Sequence, residues 1–168
     1  MNGIDEFKDF FIGNTSKKLI EKAICPVLAI PNKFDNYKVK TIVYATDFEK
    51  EDLNAIKDLT EIAKKLKSTV KIVHISTKKE LKDIEQMEWF KELLEQKLSY
   101  EKLDFKVLFS DDILNSLHLY LEDSNADMLA MLERKKGDAI NEIFHIDLVK
   151  KFESFLNIPL ISFNEKNY

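Results

Sequence analysis

"VKTIVYATDFEKEDLNAIKDLTEIAKKLKSTVKIVHI", residues 39–75, carries two hydrophobic periods in one stretch. Residues 39–45 are β-branched and apolar, as a strand requires. Leu53, Ile56, Leu59, Ile62, Ala63 and Leu66 then recur at helical spacing, with lysines and acids on the other side. Residues 70–75 return to the strand pattern. A strand, a helix and a second strand joined by short connections form the unit of a parallel sheet. "TIVYA" and "KIVHI" are apolar enough to be covered on both faces.

Outward from this unit the alternation continues. Residues 79–99 read as a helix with Leu81, Ile84, Met87, Phe90 or Leu94, and Leu98 as its stripe. Residues 105–109 read as a third strand. Asp111 or Asp112 can cap the next helix, whose stripe is Ile113, Leu114, Leu117 and Leu121. Residues 127–132 are a fourth strand, followed by a polar loop over 133–139 and a helix to about residue 156. Pro159 opens a fifth strand, where its missing N–H is tolerated. Trp89 and the phenylalanine-rich stripe are assigned to the core. In such a sheet a ligand crevice lies beyond the carboxyl ends of the strands, where strand order reverses. That points to the loops 46–51, 76–79, 110–112 and 133–139.

The ends of the chain resemble each other. With Pro26 set against Pro159, 21 residues align without a gap. Phe11 meets Phe144, Lys17 and Lys18 meet Lys150 and Lys151, and Val27 meets Leu160. The constant offset of 133 marks an internal repeat of a helix-strand unit. The chain therefore divides into a closing helix-strand piece of one repeat (1–32), a polar linker (33–38) and one complete repeat (39–168). The apolar helix face and edge strand of the first piece must be covered. The expected cover is antiparallel pairing of Val27–Ile30 with Pro159–Phe163, within one chain as a pseudo-dimer or across a two-fold axis as a homodimer.

Composition bounds the function. Of the 168 residues 45% are hydrophobic and 33% charged, which describes a globular chain with a proper core. The net charge of −4, with acids and bases interleaved, gives no case for nucleic-acid binding. Cys25 is the single cysteine, so an internal disulfide and a cysteine-based metal site are excluded, and its place before an apolar strand suggests a buried thiol. No apolar run approaches the ~18 residues of a membrane span, and "MNGIDEFKDF" lacks the regions of a signal peptide. A cytoplasmic location is the expectation.

At this point the sequence resembles the universal stress protein family. "TIVYATDF" is similar to that family's first strand and the Asp-Phe turn after it, here Asp47-Phe48. "KIVHI" is similar to its second strand and "IPLISF" to its fifth. The family's nucleotide-binding members carry a loop written G-x-x-G-x9-G-[ST], and Gly3, Gly13, Asn14 and Thr15 resemble its later part. The resemblance implies a doubly wound, five-stranded parallel sheet of order 3-2-1-4-5 with helices on both faces, accompanied by the N-terminal helix-strand unit. It implies a tandem-repeat, stress-linked binding protein that dimerises through its fifth strand. It also implies an adenosine-side contact at Asp47, with Thr46 and Ile75 as neighbouring wall positions.

The residues themselves argue that the phosphate end has degraded in the complete repeat. A polyphosphate needs backbone N–H groups approached through glycine. At the repeat offset Gly13 maps to Ile146, Asn14 to Asp147 and Thr15 to Leu148, which brings bulk and negative charge instead. Gly3, Gly13, Asn14 and Thr15 keep that chemistry and could complete a composite site with Asp47. Asp47 could equally be an N-cap for the following helix. "ERKKGD" (133–138) could hold an anion or be a solvated loop. His74, His118 and His145 show no metal spacing and read as structural. No motif for nucleophilic or metal-assisted catalysis is present. The leading expectation is a non-catalytic, self-associating regulatory module requiring no cofactor. The alternative is an ATP-binding protein or slow ATPase, and a third reading is an α/β enzyme of unrecognised substrate.

Overall fold

The computed structural model describes residues 22–31, 34–35, 38–77, 81–133 and 157–168. Six strands form one sheet: β1 (Val27–Ala29), β2 (Thr41–Ala45), β3 (Thr69–Ser76), β4 (Leu103–Phe109), β5 (Met128–Glu133) and β6 (Leu160–Asn164). Three helices are described between them: α1 (Lys50–Leu66), α2 (Leu81–Lys97) and α3 (Ile113–Asp123). The sheet order is β1-β6-β5-β2-β3-β4. Strands β2 to β6 are parallel neighbours in the doubly wound order implied by the resemblance. The sheet differs in having a sixth, antiparallel strand, because β1 pairs with the edge of β6 and does not stand as a separate unit.

Alternation along the strands divides the core in two. Ile42, Tyr44, Val70, Ile72, Ala130 and Phe163 meet α1 and α2 on one face. Val43, Val73, Ile75, Leu129, Met131 and Leu160 form a second core with α3 on the other. Helices on opposite faces follow from right-handed crossovers that first run one way from β2 and then the other. The start of β2 is anchored by Asp127, whose Oδ2 accepts from the amides of Lys40 and Thr41 at 2.7 and 3.0 Å.

Four burial assignments need correction. Leu81 and Ile84 are 78% and 44% exposed, and Met87, Phe90 and Leu94 form the buried line of α2. A spacing of three falls short of a full helical turn, so by Leu81 the stripe has rotated roughly 180° from Phe90. Trp89 is exposed because it neighbours Phe90 and so projects away from it. Cys25 is also exposed, in the bend that precedes β1.

β1 and β6 pair Val27 with Ser162, Leu28 with Ile161 and Ala29 with Leu160. Leu28 and Ile161 are 133 positions apart, the offset that aligns Pro26 with Pro159. The central residue of each strand thus faces the residue that the offset of 133 aligns with it, as in a self-complementary two-fold contact. The expected antiparallel pairing is present, and it is made within one chain.

The final residues dock on this architecture. Asn167 donates to the Ala23 carbonyl at 3.2 Å, and the Tyr168 hydroxyl donates to Asp58 Oδ2 at 2.8 Å. Burial, then the bond to Asp58, push the Tyr168 phenol well above its usual range. A raised phenol holds its proton more tightly in the folded state. Its contribution is therefore complete below the ordinary value of ~10 and is lost as pH rises beyond it. Thermal melts between pH 8 and 11 should show a steeper alkaline decline for the wild type than for Tyr168→Phe. Parallel curves would refute this account of the tail.

Candidate functional site

The chain leaves β2 toward β3 on one side, while β5 lies on the other side of β2. The carboxyl end of β2 is therefore the point where strand order reverses, and Thr46 and Asp47 occupy it.

Asp52 organises this turn. Its side chain is fully buried in the first turn of α1. Oδ1 accepts from the Tyr44 hydroxyl at 2.6 Å. Oδ2 accepts from Thr46 Oγ1 at 2.9 Å, the Glu49 amide at 3.0 Å and, more weakly, the Asp47 amide at 3.3 Å. A buried carboxylate needs such a set of donors to offset desolvation. Glu49 is the N-cap of α1, and Asp52 takes its otherwise unpaired amide. Of the two roles open to Asp47, the cap belongs to Glu49.

Thr46 is 2% exposed, and its hydroxyl is committed to Asp52 as donor and to the Phe48 amide as acceptor. Phe48 adopts φ 65°, a left-handed conformation uncommon outside glycine. Its ring lies 4.4 Å from that of His74 and 5.6 Å from that of Phe90. These aromatic contacts help hold the turn in its strained form. His74 Nδ1 is 2.8 Å from the Thr46 carbonyl oxygen and 3.9 Å from Asp47 Oδ1. The side chains of His74 and Asp47 are 14% and 15% exposed.

Of the proposed site residues, Thr46 and Asp47 are adjacent and share the Asp52 network. Ile75 is 4% exposed and packs in the core formed with α3. Gly3, Gly13, Asn14 and Thr15 lie outside the described residues, as do positions 134–156 with most of "ERKKGD" and the helix ending near 156. Sequence reasoning missed Tyr44 and Asp52 and gave His74 a merely structural place. One signal was available: a tyrosine inside an apolar strand needs a partner for its hydroxyl.

A separate cleft of about 730 Å³ opens at the other end of the sheet, lined by Lys64, Lys67, Glu95, Tyr100 and Lys102 among others. Burial raises the Tyr100 phenol, whose hydroxyl donates to the Ser68 carbonyl. This cleft lies far from the strand ends where Asp47 and His74 meet, and its mixed charges converge on no single chemistry. The carboxyl-end turn is the better candidate site. Among the described residues no cluster of histidine, cysteine and carboxylate side chains suits a metal ion, and no helix is long and apolar enough to cross a membrane.

No protein-family model and no curated protein matches the sequence. Solved structures do. A universal stress protein from Archaeoglobus fulgidus aligns over 97% of this chain with a TM-score of 0.73 at 16% identity. The chain has the fold of the universal stress proteins. It spans 59% of that longer structure. A universal stress protein in complex with cAMP aligns over 76% of this chain and 98% of its own, with a TM-score of 0.59 and 10% identity. A second Archaeoglobus fulgidus universal stress protein, in complex with dAMP, aligns over 74% and 98%, with a TM-score of 0.54 and 15% identity.

Proposed function

We propose that this chain is a non-catalytic regulatory module of the universal stress type that binds an adenine mononucleotide at the carboxyl end of β2. The observation that carries this is the nearly buried Asp47 carboxylate at the point of strand-order reversal, on a turn fixed by Asp52. A carboxylate there can accept from the hydroxyl or amino groups of a nucleoside. The replacement of glycine chemistry by Ile146, Asp147 and Leu148 disfavours a triphosphate. The cAMP and dAMP complexes of two structural neighbours support a compact ligand.

Residues 1–32 are read as the closing piece of a preceding repeat and residues 39–168 as a complete one. Support comes from the β1–β6 register and from the alignment of nearly the whole chain with part of a longer structure. On this reading β1 occupies the place that β6 of a second copy would take in a homodimer.

Calorimetry with AMP, cAMP and ATP-magnesium tests the ligand. AMP should bind, about tenfold or more tightly than ATP, and Asp47→Ala should abolish the signal. Tight ATP binding with phosphate release would favour the ATPase alternative, and no nucleotide binding at all would refute the assignment.

A further inference from the structure

We propose that His74 is a positioning residue for Asp47, one that pins the peptide from which the carboxylate springs. This rests on the nucleotide reading of the same turn and adds a residue to it. A carbonyl oxygen can only accept, so the 2.8 Å contact to Thr46 requires the proton on Nδ1. Thr46 is then held at three points. Its amide donates to the Val73 carbonyl at 2.9 Å, its hydroxyl donates to Asp52 and its carbonyl accepts from His74. The Thr46–Asp47 peptide plane has little freedom left. Asp47 Oδ1 at 3.9 Å from Nδ1 is too far for a hydrogen bond but within reach of the N–H dipole.

The surroundings of the imidazole are specific to this task. Phe48 stacks on the ring from the turn, and Phe90 of α2 closes on Phe48. β4 places Val107 opposite His74 in the sheet. On α1 the oxygens of Asp52 face Tyr44, Thr46, Asp47 and Glu49. Among these described neighbours, Asp47 is the carboxylate within ion-pair range of the ring. A histidine kept only for packing would need neither this tautomer nor this neighbour.

Two variants separate the roles. His74→Asn keeps an N–H near the place of Nδ1, and His74→Leu removes it. In ligand-free, isotope-labelled protein the imidazole nitrogens should report a proton on Nδ1. The Asp47 amide and carboxyl resonances should move in His74→Leu and return toward wild type in His74→Asn. With AMP as the probe, His74→Leu should weaken binding about tenfold, and His74→Asn should stay within about threefold of wild type. A ring protonated at Nε2 alone, Asp47 resonances indifferent to His74→Leu, or wild-type AMP affinity in that variant would each overturn the proposal. If the resonances respond but wild-type protein binds no AMP, the hold of His74 on Asp47 stands and the nucleotide reading falls.

Discussion

Replacing Asp52 by alanine is expected to destabilise the fold by about 3–5 kcal/mol, the usual cost of removing one side of a buried, charge-assisted network. The substitution takes an acceptor away from the Tyr44 hydroxyl, in a fully buried residue, and from the Thr46 hydroxyl, in a residue 2% exposed. It also frees the amide of Glu49 at the start of α1. Loss of that cap alone is worth about 1 kcal/mol. Asp52→Asn preserves the shape but turns an N–H₂ group toward donors, so it should lose about half as much. Urea denaturation followed by circular dichroism measures both. A midpoint shift worth less than about 1 kcal/mol for Asp52→Ala would show that the network is not what fixes the turn.

Removal of residues 1–31 should turn a well-behaved chain into a self-associating one. β6 is the buried centre of a three-strand ribbon, paired parallel to β5 and antiparallel to β1. Without β1 its outer backbone groups and the flank of Ile161 face water, and an unpaired apolar edge recruits another strand. The local symmetry of the β1–β6 pair indicates which one. A second copy of β6 fits the vacated place with Ile161 opposite Ile161, just as Leu28 now lies opposite it. Light scattering after size exclusion should show dimers or larger species whose population rises with concentration, together with reduced solubility. A truncated protein that stays monomeric and equally soluble would remove the case for β1 as a stand-in for a partner strand.

Local patterns account for much of what was legible beforehand. The alternation of β2, α1 and β3 could be read because periods of two and of 3.6 are imposed residue by residue along the chain. The place of Asp47 just beyond the carboxyl end of β2 could be read from the strand before it. Leu81, Ile84 and Trp89 were misassigned because a helix buries only the sector that meets the sheet, and small errors of phase accumulate along it.

The amino-acid sequence by itself determined the alternating α/β unit and the antiparallel meeting of residues 27–29 with 160–162. The tertiary structure alone decided that Ile75 packs in the core formed with α3, that Glu49 caps α1, and that His74 reaches across 28 positions to the Thr46 carbonyl. Periodicity is a property of neighbours along the chain. A hydrogen bond between a strand end and a turn depends on which strands lie side by side, and that is settled only when the sheet assembles.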